Sequence, residues 1–116
     1  MAACVFCEIV AGRNPATIEY EDDEMLAFRD IYPKAPVHLL VIPRRHIESV
    51  MALSPEDAPL VGRMVLAAKR IGEARGLAER GYRLAFHCGP DGGQVVYHLH
   101  LHFLAGRRDE RKVERR

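Results

Sequence analysis

His98-Leu-His-Leu-His102 decides how this 116-residue chain is read. Side chains alternate between the faces of a strand, so the three imidazoles share one side while Leu99, Leu101 and Phe103 share the other. The second set makes a core face. The first set is costly to bury unless each ring nitrogen finds a partner. Three of the chain's six histidines fall in this strict alternation, which leaves little room for accident. A metal site built from all three fails on geometry. Neighbouring pairs lie about 6.5–7 Å apart along a strand and the outer pair about 13 Å apart, whereas an ion needs nitrogens within roughly 2.1 Å. Nucleophilic catalysis fits better. A neutral imidazole attacks well at pH 7 and leaves well once protonated, dividing one hard displacement into two easier ones. Its neighbours can donate to phosphate oxygens or protonate a leaving group.

Working outward, Gly92-Gly-Gln-Val95 lets backbone N–H groups approach a phosphate closely. The histidine strand is predicted over Val96 to Leu104. It follows a strand in which Tyr82, Leu84 and Phe86 alternate with Arg83, Ala85 and His87, and the turn Gly89-Pro-Asp-Gly-Gly93 separates them. Further upstream, Ser54-Pro-Glu-Asp57 gives an N-cap hydroxyl, a proline at the first helical position and an acidic first turn. The long helix that follows carries Val61, Met64, Val65, Ala68 and Ile71 as one apolar stripe and stops at Gly76. Val37 to Ile42, bracketed by prolines, reads as a strand buried on both faces and interrupted only by His38. Thr17 to Tyr20 and Met25 to Arg29 read as strands joined by the acidic turn Glu21-Asp22-Asp23. Ala3 to Ala11 reads as a short helix. The expected class is α+β, a five-stranded antiparallel sheet with one long and one short helix.

The bulk properties agree with a single domain. Hydrophobic residues make up 48% and charged residues 28%, an ordinary globular balance. The net charge of +1 gives no electrostatic case for nucleic acid or membrane binding. The domain is expected over residues 1–106. Residues 107–116 form a charged tail with six basic and three acidic side chains. The N-terminus has no signal-peptide pattern, and three cysteines without one argue against a disulfide framework, so a cytoplasmic location is expected.

Gly93-Gln-Val-Val-Tyr-His-Leu-His-Leu-His-Phe-Leu104 resembles the signature of the histidine-triad family. Ala27-Phe-Arg-Asp-Ile31 and Ala35-Pro-Val-His-Leu-Leu-Val-Ile-Pro43 resemble further segments of its Hint branch, and the similarity covers nearly the whole chain. The resemblance implies a purine nucleotide hydrolase in which His100 takes up the nucleoside monophosphate (AMP or GMP) and water releases it. It implies that a backbone carbonyl near His98 holds the His100 ring, that His102 contacts the phosphate or leaving group, and that His38 supports the nucleophile. Asp30 matches the residue that accepts both ribose hydroxyls, while Phe6, Ile9, Phe28 and Ile31 match the purine slot. Gly93 and Gln94 match the phosphate loop. Transferase relatives carry Gln in place of His102, which favours water as the final acceptor.

Two residues depart from the branch. His87 stands where Asn is usual, adding a titratable group near the sugar, and Val95 stands where a phosphate-binding Ser is usual. Cys4-Val-Phe-Cys7 is weak evidence by itself, but some family members bind structural zinc through such a pair, a later histidine and the first triad histidine. The matching set is Cys4, Cys7, His46 and His98, closed and suited to structure; no cofactor is implied for catalysis. The resemblance also implies a homodimer joining two sheets into ten strands. For the tail, a solvated segment and a basic edge for an anionic leaving group both stay open. For the function, purine nucleoside phosphoramidate hydrolysis leads. Dinucleoside polyphosphate cleavage, as in the Fhit branch, and nucleotide-binding scaffolding are the alternatives.

Overall fold

A computed structural model describes residues 4–106, so Ala3 and the charged tail 107–116 lie outside the described residues. Five strands form one sheet: β1 (Ile18–Glu21), β2 (Met25–Arg29), β3 (Val37–Pro43), β4 (Arg83–Phe86) and β5 (Leu101–Ala105). Their order is β1-β2-β3-β5-β4, and every pairing is antiparallel. A short helix α1 (Val5–Val10) and a long helix α2 (Ala58–Ala74) complete the expected α+β architecture. The first turn expected for the long helix, Pro55–Asp57, is 3₁₀, so the α-helix proper starts at Ala58, and a further 3₁₀ turn at Val50–Ala52 is an addition that the apolar pattern does not announce. Among the described residues no helix is long and apolar enough to cross a membrane.

Local chemistry explains the first hairpin. The Asp22 carboxylate accepts the N–H groups of Glu24 at 2.8 Å and Met25 at 3.0 Å, closing the acidic turn. β2 and β3 are then buried on both faces. One face, with Met25, Ala27, Leu39, Val41, Leu101 and Phe103, packs against α2. The other, with Leu26, Phe28, Leu40 and Ile42, packs against Phe6 of α1 and carries the histidines.

The expected stripe on the long helix is turned in the structure. Leu60, Met64, Ala67, Ala68 and Ile71 are buried, whereas Val61 is half-buried and Val65 is 41% exposed. Small residues decide this: Ala67, Ala68 and Gly72 let the helix approach its neighbours closely, and the β-branched Val65 is rotated away. A Cβ on Gly72 would meet the Tyr82 ring at 2.4 Å, and that ring is stacked on Phe103 with centroids 4.6 Å apart. Overpacking costs about 1–3 kcal/mol and the helix-propensity gain returns roughly 1 kcal/mol. Gly72→Ala is therefore expected to lose up to about 2 kcal/mol in a denaturant titration, through these opposing effects.

The last strand is shorter than the sequence pattern implies. It begins at Leu101, so His98 and His100 precede it. Val41↔Leu101 is the final β3–β5 pair. The next β3 residue on that face is Pro43, which has no N–H to continue the ladder. Leu99 instead donates its N–H to the Ile47 carbonyl at 2.6 Å. The chain still keeps its alternation: Leu99 enters the helix-side core and His100 the opposite face.

Candidate active site

On the sheet face away from α2 lies a cavity of about 830 Å³, lined by His38, His87, His100 and His102 together with Phe6, Ile9, Phe28, Asp30, Ile31, Gly93 and Val95. Strand alternation puts them there. His38 and Leu40 on β3, His102 and Leu104 on β5, and Arg83 with Ala85 on β4 all point to this side.

Hydrogen-bond partners fix the ring tautomers. His100 Nδ1–H donates to the His98 carbonyl at 2.7 Å, leaving the lone pair on Nε2. His38 Nδ1 accepts the Lys34 backbone N–H at 3.0 Å, so Nε2 carries the proton. That Nε2–H donates to His102 Nδ1 at 3.0 Å, with an Asp30 oxygen 3.4 Å away. His102 Nε2 must then hold a proton, and it is buried without any partner among the described residues. A bare lone pair and an unused N–H therefore sit on adjacent rings, with centroids 4.9 Å apart. This pairing can attack an electrophile and bind its oxygen at once.

Burial sets the charge state. Desolvation lowers the pKa values of His38, His98 and His100. For His102, burial followed by repulsion from His100 pushes the value down to about 3. All four rings are thus neutral near pH 7, the state a nucleophilic imidazole requires.

His98 faces elsewhere. Its Nε2–H donates to the Pro43 carbonyl at 2.8 Å, which turns Nδ1 towards Cys4 Sγ at 3.3 Å and Cys7 Sγ at 3.6 Å. His46 Nδ1 lies 3.3 Å from Cys7 Sγ. The donor atoms of Cys4, Cys7, His46 and His98 all fall within 4.8 Å of one another. Two sulfurs and two nitrogens at these separations fit the tetrahedral shell of zinc. Burial, then the neighbouring Cys4, raises the Cys7 pKa, so paired thiolates here call for a cation. A second group, Asp30, His38 and His102, is also compact, but both nitrogens of His38 and Nδ1 of His102 are engaged in the relay described above.

The remaining expected residues divide clearly. Phe6 and Phe28 meet edge to face, with centroids 5.3 Å apart, and form one apolar wall. Phe6 also touches the His100 ring at 5.2 Å. Asp30 lines the cavity, although one of its oxygens already accepts the Tyr32 N–H at 2.8 Å. Ile31 lies at the rim, 78% exposed. Gln94 does not line the cavity: its side chain accepts the Gly89 N–H and donates to the carbonyls of Glu48 and Val96, bracing the glycine turn. His87 stacks on His102. Two functional groups escape sequence reasoning, the Lys34 amide and the Pro43 carbonyl. Both act through backbone atoms, for which residue type carries almost no signal.

Comparison with known proteins decides the family. A family model described as "Scavenger mRNA decapping enzyme C-term binding" matches residues 3–116. A purine nucleoside phosphoramidase of Escherichia coli (strain K12) is 46% identical over 103 residues, covering 89% of this chain and 87% of that protein. A HIT family hydrolase from Legionella pneumophila Philadelphia 1 superposes with a TM-score of 0.89 at 48% identity, covering 91% of this chain and 95% of that one. The chain belongs to the histidine-triad family. It is an enzyme of the histidine-triad hydrolase type. A zinc-bound histidine-triad protein from Mycobacterium smegmatis also superposes, with a TM-score of 0.82 at 37% identity, covering 98% of this chain and 82% of that one.

Proposed function

We propose that this histidine-triad hydrolase cleaves purine nucleoside 5′-phosphoramidates, passing the nucleoside monophosphate to His100 Nε2 and then to water. The observation that carries this reading is the free Nε2 lone pair of His100, set by its Nδ1–H bond to the His98 carbonyl, beside the unpartnered Nε2–H of His102. The name of the Escherichia coli relative supports the substrate class.

The purine lies against Phe6, Ile9, Phe28 and Ile31. Asp30 accepts from the ribose hydroxyls through the carboxylate oxygen that the Tyr32 amide leaves free. Backbone N–H groups of Gly93 and Val95 and the His102 Nε2–H hold the phosphate oxygens. The P–N bond breaks as His100 attacks, and the amine departs. Water then displaces His100 from phosphorus and returns its lone pair. Cys4, Cys7, His46 and His98 would hold zinc, and a donor set of two thiolates and two imidazoles suits a structural rather than a catalytic task. The open edge of β4 and the exposed apolar Val65 and Leu66 on α2 support pairing of two chains. Cysteines that form no disulfide among the described residues fit a reducing, cytoplasmic setting.

The test is release of AMP from an adenosine 5′-phosphoramidate, run beside a diadenosine polyphosphate. Preferred turnover of the phosphoramidate is expected. Preferred turnover of the polyphosphate would move the chain to dinucleoside cleavage. Nucleotide binding without turnover of either would make it a binding protein.

A further inference from the structure

The hydrogen-bond relay behind His102 has a chemical limit. A neutral imidazole can lose its Nε2 proton only if its Nδ1 gains one at the same time. His102 Nδ1 is fed by His38 Nε2–H, and His38 Nδ1 is fed by the backbone amide of Lys34. An amide N–H does not give up its proton near neutral pH, so the chain ends there. His102 can therefore bind a phosphate oxygen but cannot deliver a proton through this relay. An alkylamine leaving phosphorus needs one, because an amide anion is a very poor leaving group.

Besides the nucleophile His100, one imidazole in the cavity stands outside the relay. His87 directly follows β4 and stacks face to face on His102, with centroids 4.2 Å apart and planes 28° apart. A Cβ built on Gly93 would lie 4.0 Å from its Nδ1, so the ring sits between His102 and the glycine turn. Among the described residues neither of its nitrogens has a hydrogen-bond partner. It lines the cavity and is only half-buried, within reach of solvent protons. The titratable and charged groups around it are His100 and His102 from the β5 segment, His38 from β3 and Arg83 from its own strand, with Asp30 and Lys34 beyond them.

We propose that His87 is the acid that protonates the departing amine, an assignment that rests on the phosphoramidase reading above. His100 Nε2 forms a bond to phosphorus as the P–N bond of the substrate breaks. The electron pair of that bond stays on the leaving nitrogen, which takes a proton from the His87 imidazolium and departs as a neutral amine. In the second step a water oxygen bonds to phosphorus and keeps one hydrogen. The other proton goes to neutral His87, and the P–N pair returns to His100 Nε2, so the cycle closes in charge and protons. An asparagine at this position could hydrogen-bond but could not hold the proton.

The test is single-turnover release of the leaving group, with enzyme in excess, by wild type and His87→Asn. One substrate is an alkylamine phosphoramidate of AMP; the other is the para-nitrophenyl ester of AMP, whose nitrophenolate departs without a proton. General acid catalysis contributes about 10²–10⁴-fold. His87→Asn is expected to slow amine release by at least about 100-fold. Nitrophenolate release is expected to fall by less than about 10-fold, an effect well below that acid contribution, and also reports that the variant is folded. Equal slowing on both substrates, or unchanged amine release, overturns the assignment. A wild type inactive on the amine substrate overturns the phosphoramidase reading itself. A fully active His87→Asn leaves that reading standing and removes only the role of His87.

Discussion

Replacing His100 by alanine is expected to lower kcat for phosphoramidate cleavage by at least about 10⁴-fold, as loss of an attacking nucleophile does elsewhere. The size follows from the arrangement. The neighbouring triad and relay rings cannot substitute for Nε2: His38 has both nitrogens engaged, His102 accepts at Nδ1 and so carries its proton on Nε2, and His98 turns its free nitrogen to the cysteines. Nucleotide binding is expected to survive within about tenfold, or roughly 1.4 kcal/mol. Phe6, Phe28 and Asp30 hold their places through contacts that do not need the His100 ring. Steady-state kinetics beside isothermal titration with AMP separates the two effects. Turnover surviving at more than a hundredth of the wild-type rate would refute the covalent mechanism. Loss of AMP binding in step with turnover would make His100 a binding residue.

Removing zinc from the metal-loaded protein is expected to lower Tm by roughly 15–30 °C. At free metal about a thousandfold above Kd, binding stabilises the folded chain by about 4 kcal/mol, and each kcal/mol moves Tm by about 4–8 °C in a domain near this size. The cluster joins distant parts of the chain. Cys4 and Cys7 belong to the N-terminal helix region, His46 follows β3 and His98 precedes β5. Catalysis is expected to fall as well, because the backbone carbonyl that fixes the His100 tautomer belongs to His98, whose Nδ1 faces the cysteines of the proposed zinc set. Scanning calorimetry with and without a chelator reads the first effect, and Cys7→Ser, melted in excess zinc, should reproduce most of it. A chelator-free protein holding less than a tenth of an equivalent of metal, with Tm indifferent to added zinc, would remove the site.

Some of this was legible in the residues. Alternation along His98 to His102 placed Leu99, Leu101 and Phe103 in the core and His100 on the opposite face, because side-chain direction in extended chain depends only on position. The unbroken apolar run of β3 announced its burial on both faces. The stripe on α2 was misjudged by about one helical position. Apolarity alone ranks Val65 above Ala67 or Gly72, whereas close packing against Tyr82 and the sheet favours the smaller residues. The length of β5 was misjudged because pairing depends on the partner strand, and the partner runs out of donors at Pro43.

The residues read alone carried the α+β class, the family resemblance and the residue types of the cavity and the cysteine–histidine cluster. These follow from periodicity, motif spacing and side-chain chemistry, which are properties of short stretches of chain. The tertiary structure alone decided which nitrogen of each histidine carries its proton. That choice rests on the carbonyls of Pro43 and His98 and the amide of Lys34, groups that every residue type offers and that only folding brings to a particular ring. It also set His87 against His102, since the residues are fifteen apart in the chain and meet only through the β4–β5 pairing.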